Sequence, residues 1–299
     1  MIYAYLASVE HSGSTLVACL LSAHPQIATV GEFGASFPGT ERCSCGQRFE
    51  DDPFWADWAA EAGRRGLDFR VGAPDINLQP RRGAGILEDL FFYQFQWEIL
   101  NRLRDRAFPA RCALQKRAHT AVRRSVALAR ILCDRTGASV FVDTTKNPLQ
   151  VRFLRRDPSI RVKLIALRRD GRAVMSSLIE KEKRTPDRAV GAWLWGNRNL
   201  ERAAQCLLPA DVYWLKHEDL CREPDRVLRE LLAFLEVDPS VPLDYSDRAS
   251  RHVVGNRRRH EFDGVVRADD AWGTKLRAED LALFETHAGS LNRRYGYGA

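Results

Sequence analysis

The sequence predicts a three-layer α/β fold with a central parallel sheet of about five strands flanked by helices, and three observations carry that prediction. Five short segments, 2–8, 27–30, 140–142, 162–167 and 212–215, are apolar on both faces, as strands inside a covered parallel sheet are. Helical patterns separate most of them. Such strand–helix alternation implies right-handed crossovers and a doubly wound sheet.

Taken in order, the first strand (2–8) runs into a short Ser/Gly loop and then a helix over 14–23. The second strand follows at 27–30. Between 33 and 136 the alternation stops. That stretch holds a Gly/Pro-rich loop, 72–85, and two amphipathic helical patterns, 86–106 and 118–135. No linker composition marks a second domain, so 33–135 reads as a helical insertion within a single domain spanning 1–299. The third strand leads into a helix over 148–156, the fourth into one over 172–183. A helix over 224–235 follows the fifth. Pro148 and Pro224 open their helices, where a missing N–H costs nothing.

With 45% hydrophobic and 28% charged residues, the 299-residue chain can build a substantial core. Its net charge of +7 comes from scattered arginines and suits an anionic ligand, but it suits nucleic acid equally. Met1 leads directly into a strand with no basic n-region, which predicts no secretory signal. No apolar run reaches the length of a membrane span; 126–133 is broken by Arg130. The cysteines are odd in number (19, 43, 45, 112, 133, 206 and 221), and five fall in or beside helices. That pattern points to a reducing compartment, with the cytoplasm as the default.

The loop His11-Ser12-Gly13-Ser14-Thr15 carries most of the chemical information. A helix start offers unpartnered N–H groups and the positive end of the helix dipole, a ready cradle for phosphate or sulfate. Three hydroxyls add donors, and Gly13 lets the backbone approach the anion. The arrangement is P-loop-like but is not a Walker A sequence, because the phosphate-binding lysine is missing. A second anion site is suggested by Arg169, at the end of the fourth strand, with Ser177 about two turns into the following helix. A guanidinium there would meet a phosphate with its planar fork. On pattern alone, solvated arginines and a small packing serine explain the same residues.

Taken together, the two loops resemble those of the sulfotransferases that use 3′-phosphoadenosine 5′-phosphosulfate (PAPS). The likeness rests on His11-Ser-Gly-Ser-Thr-Leu, Ala23-His-Pro, Gly31-Glu32 and Arg169-Asp-Gly-Arg-Ala-Val with Ser177. It leaves out most of 34–135. The resemblance implies that His11, Ser12, Gly13, Ser14 and Thr15 hold the 5′-phosphosulfate, and that Arg169 and Ser177 hold the 3′-phosphate. It also implies Glu32 as the base that takes a proton from an acceptor hydroxyl or amine. A loop cap is the plain alternative for Glu32. Lys146, in an Asp-x-x-Lys-x-Pro segment, would neutralise charge on the bridging oxygen, and Asp143 would orient that loop. A later segment, 255–259 with Asp270 and Trp272, adds Arg257 or Arg259 as a 3′-phosphate contact; three arginines are as easily a basic surface patch. No metal is implied. The acceptor pocket would be built largely by the insertion, 33–135, and the acceptor would be a small molecule, carbohydrate, lipid or peptide tyrosine, not nucleic acid.

The departures from the family pattern also have physical content. Most members carry Arg or Lys where His11 stands, and a neutral histidine supplies one donor in place of a fixed charge. A bacterial-type His-Ser-Gly-Ser-Thr subgroup is similar here. It also has a Cys-x-Cys-Gly segment like Cys43–Gly46 ahead of Pro53-Phe-Trp, where a further cysteine is replaced by Asp52. Two cysteines cannot complete a tetrahedral zinc site alone, so a structural or inert role is expected for them. Leu16 stands where an aromatic is usual, so adenine stacking must come from elsewhere. Trp193 and Trp195 read as core or partner-helix contacts, and His119 has no supporting motif. Phe91, Phe92, Tyr93, Phe95 and Trp97 fall too densely for one helix face, and core is their expected place. A P-loop phosphotransferase and a basic nucleic-acid binder remain as competing readings.

Overall fold

The computed structural model describes residues 1–79, 85–93, 95, 98–108, 112–268 and 271–298, with the backbone alone at Glu98 and Asp105. Trp97 and Asp270 lie outside the described residues. The elements run β1 (Ile2–Ser8), α1 (Ser14–Leu21), β2 (Ile27–Thr29), α2 (Pro53–Arg64), α3 (Ile86–Phe92), α4 (Glu98–Ala107), α5 (Ala113–Thr136), β3 (Val140–Asp143) and α6 (Leu149–Leu154). They continue with β4 (Arg161–Arg168), α7 (Gly171–Glu182), α8 (Pro186–Ala204), a 3₁₀ turn (Pro209–Asp211), β5 (Val212–Lys216), α9 (His217–Arg222) and α10 (Pro224–Phe234). The C-terminal elements are α11 (Arg258–Glu261), α12 (Trp272–Lys275) and α13 (Ala278–Arg294).

The strands form one parallel sheet in the order β2-β3-β1-β4-β5. Successive strand side chains point to opposite faces, and β1 shows how this builds three layers. Tyr3, Tyr5 and Ala7 pack with α2, α5 and α6. Ala4 and Leu6 pack with Leu16, Val17, Leu20 and Leu21 of α1 and with the apolar stripe of α10, Val227, Leu228, Leu231 and Leu232. A third cluster joins α7, α8 and α13 around the fully buried Trp193.

The strand expectations hold to within a residue or two at their ends. The single pattern over 86–106 is instead two helices: Tyr93 leaves α3 in an extended conformation (φ −76°, ψ 142°). Pro148 caps α6 from the residue before its first turn. Phe91 and Phe92 are core, edge-on to one another and near Phe108 and Phe153, whereas Tyr93 is half exposed. Among the described residues no helix is long and apolar enough to cross a membrane, and the cysteines are all free thiols.

Candidate active site

The five parallel strands end at one edge, where the loops after β1 to β4 carry His11–Thr15, Glu32, Lys146 and Arg169; Ser177 lies further along α7. In the first loop, His11 (φ 59°) and Gly13 (φ 99°) are both left-handed, turning the chain sharply between β1 and α1. Gly13 is the α1 N-cap, so no side chain caps the first turn. Ser12, Ser14 and Thr15 are buried, and the Ser12 hydroxyl has no hydrogen-bond partner among the described residues. A buried unsatisfied hydroxyl is costly. At the mouth of a helix N-terminus it fits a bound anion, which would accept from it.

The second loop presses on the first. Arg169 is buried and its Nη1 donates to the His11 carbonyl at 2.8 Å. The His11 side chain is mostly buried, with Nε2 2.7 Å from Oε1 of Glu182 near the end of α7. Burial pushes the Glu182 carboxyl up, but His11 and Arg184 outweigh it and leave its pKa below the usual range. The His11 backbone, then, joins the β1–α1 and β4–α7 loops while its side chain is engaged by Glu182.

Glu32 and Lys146 meet as an ion pair, Nζ to Oε1 2.7 Å, each about one quarter exposed. Their loops are held by backbone and hydroxyl bonds. Thr144 N–H donates to the Gly31 carbonyl at 2.9 Å, and Gly34 N–H donates to the Thr145 hydroxyl at 2.7 Å. Beneath them, Tyr3 Oη donates to Asp143 Oδ2 at 2.9 Å, and Tyr5 Oη donates to the carbonyls of Thr145 and Asn147. Asp143 also accepts from Thr145 N–H at 2.8 Å. It is fully buried, and burial pushes its pKa up to about 6 against the bonds that favour its charge. Asp143 thus orients the Lys146 loop from below. Beside Lys146 lies a cavity of about 190 Å³ whose walls include Ser8, Pro148, Trp195 and Asn199.

A larger cleft, about 420 Å³, opens beside Arg169 and Ser177. Lys181, Arg258, Arg267, Lys275 and Trp272 also line it, with the acidic Glu180; Lys275 pairs with Glu180 and Arg267 with Asp263, each at 2.7 Å. Arg258 and Arg267 also line an adjoining apolar cavity of about 170 Å³ with Leu16 and Phe262. Neither Arg257 nor Arg259, the arginines singled out in the sequence, lines these spaces. The Arg257 side chain is 92% exposed. Arg259 is buried and turned the other way, onto Glu41 and the carbonyls of Arg42 and Gly255. α11 starts at Arg258, and helical phase sends the middle arginine of the three into the cleft. Trp193 is core, with its indole N–H on the Arg169 carbonyl at 3.3 Å. His119 packs edge-on to Phe153, and burial beside Arg156 and Arg123 pushes its pKa down; it lines none of these cavities.

Sequence reasoning missed Arg258, Arg267 and His217. His217, buried at the start of α9, abuts Gly13 so closely that a Cβ on the glycine would lie 2.5 Å from its Nδ1.

A Ser/Gly loop at a helix start, a carboxylate–ammonium pair and an arginine-lined cleft thus lie near one another at the carboxyl edge of the sheet. The chain belongs to the sulfotransferase family, whose model matches residues 5–240. No curated protein sequence matches it. The sulfotransferase domain of the Synechococcus PCC 7002 olefin synthase shares the fold, at 19% identity and a TM-score of 0.51 over 96% of this chain and 94% of that one. A sulfotransferase domain from the curacin biosynthetic pathway matches at 15% identity, TM-score 0.44, over 95% and 96% of the two chains. Sulfotransferase STF9 from Mycobacterium avium matches at 12% identity, TM-score 0.42, over 94% and 75%. Family membership favours sulfuryl transfer over the phosphotransferase reading.

Proposed function

We propose that the protein transfers the sulfuryl group of PAPS to an acceptor hydroxyl, or an amine, by in-line displacement. The observation that supports this is the coupling of the loop and the cleft through one residue: Arg169 walls the arginine-lined cleft and also braces the loop of Ser12, whose hydroxyl has no partner among the described residues. A nucleotide with phosphate groups at both ends matches that pair. In this reading Ser12, Gly13, Ser14 and Thr15 cradle the 5′-phosphosulfate, with His11 contributing its backbone. Arg169 and Ser177, joined by Arg258 and Arg267, take the 3′-phosphate.

Glu32 takes the acceptor proton as the acceptor oxygen bonds to sulfur and the bond from sulfur to the 5′-phosphate oxygen breaks. A sulfuryl group at the loop would compete with Glu32 for the Lys146 ammonium. Lys146 then meets the charge growing on the leaving oxygen, and the carboxylate is released to act as base. 3′-Phosphoadenosine 5′-phosphate leaves, and no metal takes part. The acceptor class is a small molecule, carbohydrate or lipid, and the cytoplasm is the proposed location. Transfer of labelled sulfur from PAPS to an acceptor panel tests the reading. Glu32→Ala should lower turnover by about 10²–10⁴-fold, the usual worth of a general base, with nucleotide affinity nearly unchanged. Normal turnover in that variant would remove Glu32 from the mechanism.

A further inference from the structure

We propose that Cys43, Cys45, Asp52 and His252 form a structural zinc site that clips the insertion to the C-terminal segment. The sequence shows two cysteines one residue apart and no more. The fold supplies the missing ligands, one of them 200 residues distant from Asp52. One donor atom from each residue lies within 4.8 Å of all the others. Cys45 Sγ is 3.2 Å from Asp52 Oδ2, His252 Nδ1 is 3.0 Å from the same oxygen, and Cys43 Sγ is 3.8 Å from Nδ1. Zinc bonds of about 2.0–2.3 Å in a tetrahedron set ligand atoms roughly 3.3–3.8 Å apart, so small side-chain adjustments close the shell.

The surroundings are arranged as a metal site requires. Residues 42–48 form a tight knuckle: Arg42 and Arg48 bridge, Cys43 N–H donates to Gln47 O at 2.8 Å, and Gly46 N–H donates to Cys43 O at 2.9 Å. Trp55 directs its indole N–H at Cys43 Sγ from 3.4 Å, a donor suited to a thiolate. Phe54 N–H donates to the other Asp52 oxygen, Oδ1, at 3.0 Å. The Phe54 ring lies flat on the His252 imidazole, centroids 4.0 Å apart, which fixes the ring that presents Nδ1. Outer contacts of this kind orient first ligands. Two thiolates, an imidazole and a carboxylate select zinc over calcium or magnesium, and four protein ligands leave no open position for chemistry. Cys43 and Asp52 are almost fully buried. Zinc entry would displace the two thiol protons to solvent.

The clip sits where it can matter. The Ser44 hydroxyl donates to Arg251 O at 2.6 Å and accepts from Val253 N–H at 2.7 Å. Two residues beyond His252, Val254 pairs with Gly31, and its carbonyl holds the Glu32 N–H at 3.0 Å.

The test uses the full, untagged chain purified from zinc-supplemented medium under a reductant that does not bind metal. Elemental analysis should give one zinc per chain. Cobalt(II) substitution should add a thiolate-to-cobalt charge-transfer band in the near ultraviolet. Cys45→Ser, at a half-exposed position, and His252→Ala should each lose the metal, and Cys206→Ser should keep it. Stripping zinc should lower Tm, and adding it back should restore Tm. The proposal is overturned if the wild-type chain, titrated with Zn(II) or Co(II), retains no more metal than Cys45→Ser, or if both ligand variants keep a full complement. A Cys43–Cys45 disulfide in the reduced preparation would overturn it as well.

Discussion

Gly13→Ala separates the two physical reasons for a glycine at the heart of the anion loop. The residue sits at φ 99°, and an added Cβ would lie 2.5 Å from the His217 ring. Left-handed backbone costs an L-residue about 1–2 kcal/mol. Forcing a methyl against a buried ring costs about 1–3 kcal/mol more, as overpacking does. The variant should therefore lose about 2–5 kcal/mol of unfolding free energy. Gly137, which ends α5 at φ 72°, has open space where its Cβ would stand. Gly137→Ala carries the backbone cost alone, about 1–2 kcal/mol. Adding His217→Ala to Gly13→Ala removes the ring, so the double variant should be more stable than the sum of the single effects by about 1–3 kcal/mol. Urea unfolding followed by circular dichroism reads wild type, the three single variants (His217→Ala among them) and the double variant. The reasoning is refuted if Gly13→Ala costs no more than Gly137→Ala, or if the two changes are simply additive.

Further outcomes follow from the cleft and from the buried acid. Arg258→Ala should weaken 3′-phosphoadenosine 5′-phosphate binding by about 10–100-fold, the worth of one charged hydrogen bond of about 1.5–3 kcal/mol, while Arg257→Ala stays within about twofold; equal losses in calorimetry would dismiss the assignment of the cleft. Asp143, raised to about 6 in the fold from an ordinary 3.8, binds its proton more tightly folded than unfolded. Its contribution is thus present below about pH 4 and is lost as pH rises toward 6, by about 3 kcal/mol at 1.36 kcal/mol per unit. Relative to wild type, Asp143→Asn should become more stable by about that amount between pH 4 and 7. A pH-independent difference between the two would show that Asp143 is not held in this way.

The sheet was legible because buried parallel strands are short, continuous apolar runs that little else in the chain imitates. The anion loop and Arg169 were legible because a strand end followed at once by a helix start is a local pattern. What escaped the sequence is what depends on phase and distance. Periodicity joined α3 to α4, since apolar residues recur on both sides of Tyr93, whose extended backbone ends α3 with no polar gap in the sequence to mark it. Arg257, Arg258 and Arg259 are chemically identical neighbours, and only the start of α11 decides which one faces the cleft. His11 invites an anion by its position, yet a carboxylate 171 residues away takes its ring. His252 carries no signal beside Cys43 and Cys45, because the fold alone brings it to them.

The central claim is a clamp that reads both ends of one nucleotide. Calorimetric titration with 3′-phosphoadenosine 5′-phosphate and with adenosine 5′-phosphate, both without magnesium, tests it most directly. The account predicts that the 3′-phosphate improves affinity at least about tenfold, since it adds charged hydrogen bonds from the arginine cleft. Equal affinity for the two nucleotides, or binding only of ATP with magnesium, would contradict it.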